Sequence, residues 1–377
     1  ADPGWIDRGY MLKYLLAWDK MLILDYSNFE QMKNLILLFA VALLVITGSC
    51  KSKSTADKLL ALKADSVLVQ AKRVFKPLPD EAINPDNPLT PEKIALGKML
   101  YYDNRLSANN TQSCNTCHNL DTYGVDNKAT SPGDNGVPGT RNSPTTLNAA
   151  LHFAQFWDGR MKDVEEQAGG PVVNPAEMNM PSEELVITRL AGDVGYKKMF
   201  ASAFPGLKEP ITFENMRKAI GAFERTLLTP SQFDDFLKGD RTALTLQELN
   251  GVEIFINTGC TACHIGPLKG GSMFQKYPLF GTHQELTGSK TDDLGKMQAT
   301  KIETDKYLFK VPSLRNVAET WPYLHDGSVK ELDRTVLIMG RAELNKQLST
   351  EQTAGIVAFL KTLTGEVPES AKLAVHD

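Results

Sequence analysis

Apolar residues recur at helical spacing in four stretches of this chain, and the four fall into two matching pairs. The first stretch follows Leu89-Thr90-Pro91-Glu92 and carries Ile94, Leu96, Met99 and Leu100. Thr90 can cap the first turn and Pro91 suits the first helical position, so a helix is expected there. The second follows Leu244-Thr245-Leu246-Gln247-Glu248 and carries Leu249, Val252, Phe255 and Ile256. Thr245 and Glu248 form a capping-box pattern, and Gly259 supplies the stop. Two amphipathic segments, Ile220 to Leu227 and Ile356 to Leu363, close the pairs. Ser349 and Gln352 cap the later one, and Gly365 is expected to end it. The pattern predicts a mostly α fold with an internal duplication joined through the polar segment Ser231 to Ala243. Little reads as strand, and irregular chain is expected over Asn119–Gln155 and Gly266–Phe309.

Near the N-terminus the pattern changes. Met32-Lys33-Asn34 precedes an unbroken apolar run from Leu35 to Ile46, and Thr47-Gly48-Ser49-Cys50 ends it. Twelve apolar residues are short for a bilayer span and suit a signal-peptide core. The small residues before Cys50 resemble a bacterial lipoprotein cleavage site. The expectation is a signal peptide over 32–49, a lipid anchor on Cys50, a tether and N-terminal segment over 50–81, and periplasmic placement. Residues 1–31 read as an upstream remnant. A length of 377 residues allows two or three domains. Hydrophobic residues make up 42% and the net charge is −4, so nothing draws the chain toward nucleic acid or anionic lipid.

Four of the five cysteines lie in two copies of one pattern, Cys114-Asn115-Thr116-Cys117-His118 and Cys260-Thr261-Ala262-Cys263-His264. C-x-x-C-H is the attachment signature of c-type haem. Two thiols three residues apart reach the two vinyl groups of one porphyrin, and the adjacent imidazole reaches the iron. A zinc site built from two C-x-x-C pairs is the alternative, but zinc needs no histidine after each pair. Two covalently bound haem c groups are therefore expected, in fused cytochrome c-like domains over 82–230 and 231–377. Haem would also supply the apolar core that such long irregular intervals otherwise lack. Second iron ligands must come from His152, His283, His325, His376 or the twelve methionines, which spacing does not rank.

Several further stretches are specific. They are Leu96-Gly97-Lys98, Asp103-Asn104-Arg105-Leu106-Ser107, Arg141-Asn142-Ser143-Pro144-Thr145, Gln155 to Arg160, Pro312-Ser313-Leu314-Arg315-Asn316 and Val336 to Gly340. From Ala82 to Gly365 the chain resembles the bacterial dihaem cytochrome c peroxidases. That resemblance implies reduction of hydrogen peroxide at the N-terminal haem. Electrons would come through the C-terminal haem from a small cytochrome c or cupredoxin. It implies His264–Met339 ligation of the second haem, Glu177 as catalytic acid and base, Gln167 as the amide that orients peroxide, and Trp157 in the electron path. Asn142, Thr320 and Pro322 match a calcium site, with His325 expected to be structural. Family members are commonly homodimers.

One departure matters. Many family members place a second histidine on the N-terminal haem from a loop, and that position is Asp134 here. No histidine occurs between His118 and His152. The N-terminal haem is therefore expected to rest without a strong second protein ligand, with His152 as the single nearby imidazole that could change this. Two other functions remain open: a maturation oxidase acting on a partner protein, and a non-catalytic dihaem electron carrier. The oxidase group carries tyrosine where this chain has Met339.

Overall fold

A computed structural model describes residue 33 and residues 55–373, so the apolar run and Cys50 lie outside the described residues. Two compact units divide the chain, Ala1–Leu62 and Lys63–Asp377. In the first, residue 33 and residues 55–62 are helical. Among the described residues no helix is long and apolar enough to cross a membrane.

The second unit holds the architecture. Its helices are α1 (63–74), α2 (Pro91–Tyr101), α3 (Cys114–Cys117), α4 (Val164–Gln167), α5 (Gly170–Val173), α6 (Glu183–Ala191) and α7 (Val194–Ala203). They continue as α8 (Phe213–Glu224), α9 (Gln232–Lys238), α10 (Leu246–Thr258), α11 (His283–Thr287), α12 (Met297–Thr300), α13 (Leu332–Leu344) and α14 (Thr350–Lys361). Two short strands, β1 (Phe274–Lys276) and β2 (Leu308–Lys310), pair antiparallel with Phe274 opposite Lys310. The mostly helical expectation holds among the described residues.

The caps form where the sequence placed them. Thr90 Oγ1 accepts from the Lys93 N–H at 3.2 Å. The Thr245–Glu248 box is reciprocal, at 2.7 and 3.4 Å. Ser349 and Gln352 do the same for α14. Gly259 takes φ 107°, a left-handed stop that side chains resist.

Opening and closing helices pack in pairs, α2 on α8 and α10 on α14. Each crossing turns on a glycine. A Cβ on Gly97 would lie 1.8 Å from the Ala219 carbonyl oxygen, and one on Gly251 would lie 2.0 Å from that of Gly355. Hydrogen alone fits at both places, so the helix axes approach closely. Around the first crossing Leu96, Leu100, Met216, Ala219 and Ile220 are buried. At the second, Phe359 meets Phe255 and Phe233 edge-on, with centroids 5.1 and 5.0 Å apart.

The polar segment Ser231 to Ala243 contains α9, with Phe233 and Phe236 fully buried. Its Asp234 accepts two hydrogen bonds from the buried Arg315 at 2.8 and 2.7 Å, and others from Leu78 and Ser231. Polar residues can build a buried element when their charges are paired this fully. Gly365 does not end α14, which stops at Lys361 with Thr362 as its cap. Instead a Cβ on Gly365 would meet the Pro230 carbonyl at 2.3 Å, so the glycine permits strand-like contact with Ser231.

Candidate active site

Each C-x-x-C-H segment follows a structured support. Cys114 and Cys117 are the first and last residues of α3, whose N-cap Ser113 and Thr116 bond reciprocally. The His118 N–H returns to the Cys114 carbonyl at 2.9 Å, and the Tyr101 hydroxyl donates to the His118 carbonyl at 2.6 Å. In the second segment a 3₁₀ turn over Cys260–Ala262 does the same work, with the His264 N–H reaching Cys260 O at 3.0 Å. None of these four cysteines is in a disulfide.

His264 is the better defined of the two imidazoles. Its Nδ1 lies 2.9 Å from the Lys269 carbonyl, an obligate acceptor, so Nδ1 carries the proton and Nε2 keeps its lone pair. A backbone acceptor on the distal nitrogen is the usual support of a metal-binding histidine. Lys269 is held in turn by Asp234, 3.8 Å away. Burial lowers the pKa of both His118 and His264, which favours the neutral form that binds metal. His118 Nδ1 is buried with no hydrogen-bond partner.

Cys260, Cys263 and His264 share one cavity of about 310 Å³ with Met339, which α13 presents from its half-buried face. Phe255, Leu332, Val336 and Phe309 line it as well, so the wall is largely apolar. Thiols, an imidazole with a free lone pair, a thioether and an apolar wall fit c-type haem. Trp157, Asn142, Thr320 and Pro322 reach the same cavity. The Trp157 indole N–H donates to the Asn142 carbonyl at 2.9 Å. Asn142 donates its Nδ2 to Lys128 O at 3.0 Å, which leaves Oδ1 as its free acceptor. The Asn142 amide oxygen and the carbonyls of Thr320 and Pro322, which line the same cavity, are oxygen donors of the hard kind calcium takes.

Glu177 and Gln167 lie in the other half, outside that cavity wall. Gln167 ends α4, while Glu177 follows α5, whose C-cap Asn174 donates to Glu177 Oε1 at 2.8 Å. Burial raises the Glu177 pKa above the usual carboxylate value, against smaller opposing effects of Arg160 and Asn174. Burial raises the Cys117 thiol pKa, with smaller contributions that include the charge of Glu177.

The loop over residues 131–139 is a small hairpin with Pro132 facing Pro138. Asp134 does not project freely from it. Its carboxylate accepts from the Thr111 hydroxyl and from the Asn109 N–H at 2.8 Å. Burial works against the charge, but those hydrogen bonds hold the pKa below its ordinary value. The backbone N–H of Asp134 donates to the Glu177 carbonyl at 2.7 Å, so loop and candidate acid are tied together. His152 turns toward the other cavity, whose wall it joins.

Sequence reasoning passed over a third cluster. His283, His325 and Asp326 are buried together, with His283 Nε2 2.8 Å from Asp326 Oδ2. His325 stacks on Phe309 with centroids 4.5 Å apart, consistent with a packing role. His283 and His325 counted only as possible iron ligands, because their spacing in the chain gives no sign that Asp326 joins them.

Residues 91–242 match the family model of the di-haem cytochrome c peroxidases. A cytochrome c551 peroxidase of Pseudomonas aeruginosa is 44% identical over 310 residues, covering 81% of this chain and 88% of the relative. The methylamine utilization protein MauG of Methylorubrum extorquens is 35% identical, covering 86% of this chain and 93% of its own. Among solved structures, a MauG-like protein associated with microbial copper homeostasis superposes with a TM-score of 0.67 at 30% identity, covering 77% of this chain and 94% of that one. With identity this high across this much of both chains, the protein belongs to the di-haem cytochrome c peroxidase family.

Proposed function

We propose that the protein reduces hydrogen peroxide to two waters, taking two electrons from a small cytochrome c or cupredoxin in the periplasm. The single observation that carries the reading is Glu177, a half-buried carboxylate of raised pKa whose backbone carbonyl takes the Asp134 N–H, on a loop bonded to Thr111 just before the Cys114–His118 turn. Covalent haem would supply the iron that binds peroxide and the redox capacity that accepts two oxidising equivalents. His118 would hold the peroxide-side iron, and Cys114 and Cys117 its porphyrin. Glu177 takes a proton from the inner oxygen of peroxide and returns it to the outer one, so the O–O bond breaks with water leaving. Asn174 holds the carboxylate for both halves of that transfer, and the Gln167 amide orients the peroxide. Two electrons and two protons balance the conversion to two waters.

The second site would conduct. His264 and Met339 would fill both iron positions, and thioether ligation favours a high potential. Trp157 lies in the wall of that cavity and would carry electrons toward the peroxide side. Asn142, Thr320 and Pro322 would hold calcium at the same wall. Met339 favours this reading over a maturation oxidase, whose group carries tyrosine there. Glu177 favours it over a pure electron carrier, which has no use for a proton-shuttling carboxylate.

Asp134, fixed by Thr111 and Asn109, would leave the peroxide-side iron without a strong ligand from its loop. Electron paramagnetic resonance of the fully oxidised holoprotein tests this. A high-spin ferric signal beside one low-spin signal is expected. Two low-spin signals and no high-spin component would overturn it. Turnover of peroxide with reduced cytochrome c tests the reaction itself.

A further inference from the structure

Among the described residues, Lys310 is a buried cation with no carboxylate to meet it. It is 5% exposed at the end of β2, and its Nζ lies 3.0 Å from His152 Nδ1. Elsewhere this protein answers its enclosed cations with acids. Arg315 and Lys269 face Asp234, Arg141 faces Asp158 and Asp293, and Arg225 faces Glu165. Lys310 has no such partner among the described residues, and burial alone sets its pKa, at about 8. An isolated charge in apolar surroundings is costly unless something anionic reaches it.

His152 sharpens the point. Burial, then Lys310, drives its pKa well below the usual imidazole value, so the ring is neutral. Nδ1 accepts from the Lys310 ammonium, so the ring proton sits on Nε2, which is buried with no partner. Both residues line the cavity that holds Cys260, Cys263 and His264. An ammonium without a counter-charge and a ring N–H without an acceptor thus line a space whose expected occupant carries two carboxylates, the haem propionates.

We propose that Lys310, seated by His152, receives a propionate carboxylate of the haem in the His264 cavity and thereby keeps that centre's reduction potential high. An ammonium beside the porphyrin offsets the propionate charge and disfavours the extra positive charge of ferric iron. The backbone N–H of Lys310 donates to the Trp157 carbonyl at 2.8 Å, so the cation sits at the wall facing the proposed electron path. Lys310 is a positioning and tuning residue, and its role rests on the relay reading of the His264 site.

The experiment is a spectroelectrochemical titration of both haems in holoprotein carrying Lys310→Met or Lys310→Arg. In Lys310→Met the reduction equilibrium of the His264-side haem should fall about tenfold, equivalent to ~59 mV for one electron. The other haem should not move, and Lys310→Arg should restore most of the loss. Unchanged potentials, or equal drops at both haems, would overturn the proposal. Should Lys310→Met fail to load haem, Lys310→Gln removes the charge while keeping a donor and reads the same potential. The charge-transfer band of sulfur-ligated ferric haem separates the two layers of the argument. Its absence from the unmodified protein sinks the Met339 ligation, whereas its presence with an unmoved potential sinks Lys310.

Discussion

The two halves that carry the C-x-x-C-H segments share a scaffold and differ in how their polar groups are finished. In both, an opening helix crosses a closing helix at a glycine, and a cysteine pair with histidine follows the opening helix. Around His264 the finishing is tight: its Nδ1 has a fixed acceptor, and Met339 shares its cavity. Around His118 no acceptor meets Nδ1 at full hydrogen-bond geometry, although the Gly124 and Pro144 backbone acts on the ring, and Glu177 in the same half has its pKa raised. A relay gains from a rigid, fully ligated centre that changes little on reduction. A catalytic centre needs a group whose proton can move, and in the proposed function Glu177, with its raised pKa, is that group.

The largest test of that contrast is Glu177→Gln. Peroxide turnover should fall by about 10²–10⁴-fold, the usual loss when a general acid–base group is removed. The optical spectra of both haems should stay unchanged, because Glu177 is not an iron ligand in this reading. Stopped-flow kinetics with reduced cytochrome c makes the measurement, and a loss below tenfold would place the proton transfer elsewhere.

Next come the paired crossings. Gly97→Ala and Gly251→Ala should each destabilise the protein by ~3 kcal/mol, since each adds a methyl against a backbone oxygen that cannot step aside. Chemical denaturation measures the loss. The comparison sharpens if each variant perturbs the spectrum of the haem in its own half more than that of the other.

The smallest effect is in pH. Glu177 must be ionised to accept the first proton, and burial raises its pKa. Activity should therefore decline as pH falls through a value above the ordinary glutamate range, while activity above that value is retained. Residual activity of Glu177→Gln should lack this acid limb. A limb that survives the substitution would assign it to another group.

Much of the scaffold could be read before any coordinates. Thr90, Thr245–Glu248 and Ser349–Gln352 are local signals, each acting within one helical turn, and their caps form as expected. The two C-x-x-C-H segments are local for the same reason. Other features depend on residues far apart in the chain. Gly97 looked like any helical glycine until Ala219 came against it, and the polar 231–243 segment gave no sign of its buried pairing until Arg315 met Asp234. Gly365 was assigned to a helix end because its real neighbours, Thr229 and Pro230, are more than a hundred residues away.

The amino-acid order alone determined which residues can cap, coil and carry haem, because those properties reside in a few consecutive side chains. Only the tertiary structure decided which charges stand alone. Asp134 became a pinned carboxylate and Lys310 an unanswered cation through neighbours 23 and 158 positions away. Solvation and partners, not residue type, set what a charged group does, and both exist only once the chain has closed around it.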